Sequence, residues 1–184
     1  MKFHTKKKYK NKMERIKNQR FLKTHPHLFF KNYDLSIYAD ATYYINGFLD
    51  EFLLRILSPN KSIYLLEHPN RNSINNEFDA VVKSKKETKK NVSIIKKNYN
   101  KAKFPDNNGL AETCLIVRKH NDINCINFME QWFHEIKQNS HRDQLSFNYI
   151  WWKNKHNIVK YISNVFTRKY FHQYSNHLLH YWFK

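Results

Sequence analysis

Glycine and cysteine are both scarce, at 2 residues each in a chain of 184. Two cysteines, Cys114 and Cys125, make no disulfide framework, and no C-x-x-C spacing points to zinc. Cys114 lies in the apolar run 113–117 and is expected as a small buried core residue, with a reducing compartment the easier reading. Scarce glycine beside abundant Lys, Asn and Ile is also the pattern of coding DNA rich in A and T, which offers one account of the lysine excess. Long apolar runs are missing as well. The basic N-terminus is not followed by an apolar segment of the secretory type, and no stretch is long enough to span a bilayer. A cytoplasmic protein, soluble or peripheral at a membrane, is expected. Acidic residues are the remaining shortage: 15 Asp+Glu against 33 Lys+Arg leave a formal charge of +18. Such a charge attracts anions; nucleic acid, an anionic membrane face and a nucleotide diphosphate all qualify, and charge alone does not choose among them.

What remains is enough to build a core. A hydrophobic content of 41% with 16% aromatics excludes a disordered chain, and the length suits one domain. Residues 1–22 read as a basic lead-in whose first dozen positions resemble a solvated tail, with anchoring to phosphate groups of lipid or nucleic acid as the functional alternative. Residues 23–184 read as the domain.

Apolar spacing predicts a helix over 13–22, ended by His25-Pro26-His27. The run 34–40, DLSIYAD, alternates as a strand does and ends on Asp40. A helix over 48–57 stops at Pro59-Asn60, and a second strand covers 62–66. Helices follow over 73–88, with Ser73 as N-cap, and over 92–101. A loop at 104–109 leads to a strand over 112–118. Ile126, Met129, Trp132, Phe133 and Ile136 give 123–138 a helical stripe, and another helix covers 144–152. The segment 158–184 is aromatic and rich in histidine, and there is no internal repeat. Alternating strands and helices predict an α/β layered domain, with ligands at the carboxyl ends of the strands. Those ends carry Asp40, Glu67-His68 and Arg118-Lys119-His120.

Asp40 is placed either to hold a divalent metal that neutralises a diphosphate leaving group, or to cap the following turn. The second carboxylate of such a metal motif is absent, because Ala41-Thr42 follows. Arg71 suits bidentate phosphate recognition, and Glu77 lies at a spacing that lets the two pair instead. Glu112 follows the loop that contains Gly109, where a tight turn competes with close approach to a ligand. In Ser140-His141-Arg142-Asp143-Gln144, Asp143 is either a helix cap or a base for an acceptor hydroxyl. His172, His177 and His180 could hold a metal but suit an amphipathic face better.

Taken in order, these segments resemble a known family. They comprise Lys23 with Pro26-His27, the run 33–40, His68-Pro69-Asn70-Arg71 with Glu77, and Tyr99. Phe104-Pro105, Gly109-Leu110-Ala111-Glu112, Arg118-Lys119-His120-Asn121, Trp132 and the run 140–147 complete the set. The chain resembles a glycosyltransferase-like domain family, once catalogued only as a domain of unknown function, found in plant Golgi proteins of mucilage and pectin synthesis and in bacterial polysaccharide gene clusters. The resemblance covers about residues 14–155. It implies a GT-A-like layered fold, a nucleotide-sugar donor, a glycan or lipid-linked acceptor in polysaccharide assembly, and a divalent ion, Mn or Mg. It also implies Asp40 as the metal or diphosphate residue, Glu112 and Asp143 as acid–base groups, and His68, Arg71, Glu77, Arg142 and Gln144 as substrate contacts.

The sequence departs from the family in two places. Members usually carry a first strand-rich segment where this chain has its basic lead-in, so the donor site is expected to be incomplete or completed by a second chain. Members often have Gly and Asn where Ala41-Thr42 stands. A partner-dependent binding domain without turnover, and a basic nucleic-acid-binding module, are the alternative functions.

Overall fold

The computed structural model describes residues 11–155 and 157–173; the lysine-rich start and the proposed metal histidines His177 and His180 lie outside them. Helices α1 (Lys12–Thr24) and α2 (Pro26–Phe29) come first, followed by β1 (Ser36–Ala39), β2 (Tyr43–Ile45), α3 (Leu49–Ile56) and β3 (Ile63–Glu67). Next are α4 (Ile74–Lys83), α5 (Lys89–Lys101), β4 (Ala111–Arg118), α6 (Ile123–Gln138) and α7 (Gln144–Asn154). Strand β5 (Val159–Ile162), α8 (Asn164–Thr167) and β6 (Phe171–Gln173) close the described chain. Among the described residues no helix is long and apolar enough to cross a membrane.

The fold is mixed α/β. Four strands form one sheet in the order β1-β4-β3-β5, and β2 pairs with β6 in a separate two-stranded ribbon. Strand β4 runs antiparallel to both β1 and β3, whereas β3 and β5 are parallel. Successive side chains of a strand face opposite sides. Ile63, Leu65 and Ile116 therefore pack under α6 and α7, on Phe128, Trp132 and Phe147. Tyr64, Leu66, Leu115 and Val117 pack on the other side, against Phe52 and Ile56 of α3. Burial on both faces explains why β3 and the end of β4 read as unbroken apolar runs rather than alternating ones. A third cluster joins α4 and α5 through Phe78, Ile95 and Tyr99 to Leu110 and Leu145.

Two expectations change. The antiparallel course of β4 puts Arg118 opposite Ser36 and Ile63, at the far end of the sheet from Asp40 and Glu67. Arg118 is buried, its Nη1 donating to the Lys23 carbonyl, and burial pulls its pKa down to about 10. The segment after 158, left without elements, supplies the sheet edge β5 and the strand β6. Helix α1 runs continuously through position 23 and packs on α6.

The expected helix over 73–88 ends at Lys83. Lys86 N–H reaches Val81 O at 2.9 Å and Lys85 N–H reaches Val82 O at 3.0 Å, a Schellman closure with Lys85 at φ 55°. Helix α5 closes in the same way, with Lys103 at φ 60° and Phe104 N–H on Tyr99 O at 3.0 Å. Glycine normally fills this left-handed position. In this glycine-poor chain lysine occupies it, so the stop carried no mark in the sequence.

Candidate active site

The site lies where β1 and β3 end and β4 begins. Asp40 closes β1, its backbone N–H on Cys114 O at 2.8 Å, and its carbonyl accepts from Tyr43 N–H at 2.9 Å to turn the chain into β2. The turn is thus closed by backbone, and the carboxylate is held separately. Tyr38 donates its hydroxyl to Asp40 Oδ1 at 2.6 Å, and Gln19 of α1 donates to the same hydroxyl oxygen.

Strand β4 is irregular opposite this point. Leu65 pairs with Ile116 but Leu66 pairs with Glu112, so residues 113–115 bulge out of register with β3. A bulge frees backbone groups that must find other partners. Lys23 Nζ, buried to 1% exposure, meets the freed Thr113 carbonyl at 2.5 Å. The same ammonium contacts Asp143 Oδ2 at 2.5 Å and lies 4.5 Å from the Tyr38 ring centre. Arg20 Nη2 contacts the other Asp143 oxygen at 3.1 Å. Burial would raise the Asp143 pKa, but Lys23 and Arg20 outweigh it and hold the carboxylate below its ordinary range. Asp143 also caps α7, accepting from Gln144 N–H at 3.2 Å. Both of its oxygens are therefore engaged inside the protein.

Glu112 is placed differently. It lines a cavity of about 400 Å³ together with Tyr43, Pro69, Asn164, Arg168 and His172. It is half-buried, and burial, reinforced by Asp40, pushes its pKa up against the opposing pull of Cys114 and Arg168. Cys114 Sγ donates to the Tyr43 hydroxyl at 3.2 Å, and burial with the Glu112 charge pushes the thiol up to about 12. Cys114 is thus half-buried rather than fully buried, packed against the core cluster of Phe52 and Tyr64 beside the site.

His68, Arg71 and Glu77 form a chain next to the cavity wall at Pro69. The Arg71 Nε–Glu77 Oε2 contact is 2.7 Å, with the Glu77 side chain buried and the Arg71 side chain 31% exposed. His68 Nδ1 accepts the backbone N–H groups of Asn70 and Arg71, both at 3.1 Å, and its Nε2 lies 2.8 Å from Arg71 Nη2. Burial and the Arg71 charge pull the His68 pKa down to about 4. Arg142 stands elsewhere, in a hollow with Arg15, Arg20 and Lys86, its N–H on Ser140 Oγ at 3.0 Å.

The fold thus brings Glu112 to one end of the sheet with Asp40, and sets His68, Arg71 and Glu77 beside that end. It places Asp143 and Gln144 behind the bulge and Arg142 on another face. Sequence reasoning missed Tyr43 and Arg168, and singled out His172 only as a possible metal residue. Tyr43 and His172 arrive through the β2–β6 ribbon, which no local pattern announces, and Arg168 caps the end of α8.

No curated protein matches the chain. The description "TOD1/MUCI70, glycosyltransferase-like domain" does match it, over residues 5–180. On that match, which spans nearly the whole sequence, the chain belongs to the TOD1/MUCI70 glycosyltransferase-like family.

Proposed function

We propose that the strand-end cavity binds a nucleotide sugar and that the protein transfers the sugar to a glycan or lipid-linked acceptor in polysaccharide assembly, on a GT-A-like frame. The observation that carries this reading is Glu112: a half-buried carboxyl, raised by burial, in a cavity of about 400 Å³. A carboxyl held above its usual range is a stronger base than an ordinary one, as the deprotonation of an acceptor hydroxyl requires. Arg168 lines the same cavity and the Arg71 side chain is partly exposed beside it, so both suit the donor's phosphates.

The family also implies a divalent ion. Among the described residues no three His, Cys, Asp or Glu side chains cluster into a closed cage. A Mg or Mn ion in phosphate chemistry needs only one or two protein carboxylates, the phosphates and water supplying the rest. Asp40, fixed by Tyr38, fits that part. Such an ion would neutralise charge on the departing diphosphate. Asp143, enclosed by Lys23 and Arg20, acts as a positioning residue for the bulge on which Glu112 stands.

Thermal unfolding with a panel of UDP- and GDP-sugars, each with and without manganese, tests the reading. A donor at about 100 times its Kd stabilises the fold by about 2.7 kcal/mol. The expected result is a manganese-dependent rise with one donor that disappears in Asp40→Asn. No rise with any donor would instead indicate a domain that keeps the fold without turnover.

A further inference from the structure

Away from the strand ends, a groove runs between α1, the α4–α5 turn and the α6–α7 turn. It consists of two hollows of about 660 and 610 Å³ that share Arg20, Lys85, Lys86 and His141. Six Lys and Arg side chains line the first hollow, and Arg15 and Arg142 add two more in the second. Among the described residues the one acid lining it is Glu87. That carboxylate is occupied: Ser140 donates its hydroxyl, Thr88 its backbone N–H at 2.9 Å, and His141 Nδ1 lies 3.8 Å away. Lys17, Lys85, Lys86 and Lys89 have no carboxylate partner among the described residues. Arg142 Nε is shielded from solvent and meets no acceptor among them.

We infer that this groove is a binding site for a soluble ligand carrying two or more closely spaced phosphate groups. Crowded like charges repel and are tolerated where a counter-anion of high charge density joins them. The forked guanidiniums of Arg15 and Arg142 and the lysine ammoniums match phosphate oxygens. The hollow is recessed between three elements, a shape that a compact anion enters and a flat bilayer does not. Among the described residues no Phe, Tyr or Trp lines either hollow, so these offer no stacking platform for nucleic-acid bases. Among the described residues none lines both this groove and the Glu112 cavity, and the inference stands independently of the transferase reading.

Calorimetric titration of the full chain with sodium tripolyphosphate, at fixed physiological ionic strength and with citrate as the control anion, decides the matter. The expected result is saturable one-to-one binding of tripolyphosphate in preference to citrate. It should be unchanged in Asp40→Asn and weakened about tenfold or more in the exposed double variant Lys86→Glu/Lys89→Glu. If that variant is unfolded by circular dichroism, Lys17→Glu/Lys137→Glu, on two other helices, serves in its place. Absent binding, equal binding of citrate, or an affinity untouched by charge reversal would overturn the inference. So would binding of a single-stranded oligonucleotide, steeply salt-dependent, where tripolyphosphate fails to bind.

Discussion

Replacing Lys23 with methionine probes the centre of the structure. The ammonium holds three things at once: the Thr113 carbonyl freed by the β4 bulge, the buried Asp143 carboxylate, and the face of Tyr38. Methionine keeps the volume and removes the charge, leaving Asp143 with the Arg20 ion pair and the Gln144 N–H, and Thr113 O without the Lys23 donor. Breaking a buried ion pair from one side costs about 3–5 kcal/mol. The surviving Arg20 contact at 3.1 Å places the expected loss near the lower end, about 3 kcal/mol. For a chain of this size that corresponds to a drop in Tm of about 6–12 °C.

The pH dependence follows from the Asp143 shift. Its folded pKa lies below the unfolded value, so its contribution is present above the ordinary carboxylate range and is lost as pH falls through the folded value. The gap between wild type and Lys23→Met should therefore narrow on acidification. Urea denaturation of the wild type, Lys23→Met, Asp143→Asn and the double variant completes a thermodynamic cycle. Strong coupling is expected, the double variant being far less destabilised than the sum of the singles. A loss under about 1 kcal/mol in Lys23→Met, or additive single effects, would refute the account of Lys23 as the clamp of the bulge.

Glu112→Gln should lower turnover by about 100-fold or more while leaving donor binding intact, read by comparing kcat with KM. Because the folded Glu112 pKa is raised, ionisation costs stability above the ordinary carboxylate range, and Glu112→Gln should become the more stable protein as pH rises and equal the wild type in acid. Arg71→Ala, which strands the buried Glu77 carboxylate, should cost about 1–3 kcal/mol in chemical denaturation. Gly109→Ala should cost about 1 kcal/mol or more, since Gly109 sits at φ 74° and an added Cβ meets Tyr161 OH at 3.2 Å. Lys103→Gly, at the left-handed closure of α5, should instead raise stability by about 0.5–1 kcal/mol, seen as a higher Tm.

Much of the fold was legible where one period dominated. Helix α6 falls at the predicted positions, 123–138, because Met129, Trp132 and Ile136 repeat at helical spacing and all face the sheet. Strand β3 and the end of β4 were legible as short apolar runs. Strand β5 was not, since its four residues include Lys160 at an edge where one side meets solvent. Ribbon strands β2 and β6 are three residues each, too short for any period, and they pair across more than a hundred positions. The pairing of Arg71 with Glu77 was legible from spacing, but the burial of Glu77 that gives it weight was not.

By itself, the sequence determined the α/β class, the family, the main helices and the acid at the end of β1, because local periodicity and residue order are properties of the chain alone. Tertiary structure decided which acids share a site. The antiparallel course of β4 carried Arg118 away and brought Glu112 near Asp40. The bulge at 113–115 called in Lys23 from ninety residues away, and with it Arg20 and Asp143. Strand direction and the satisfaction of a freed carbonyl are settled only when distant segments meet, and the candidate site was settled with them.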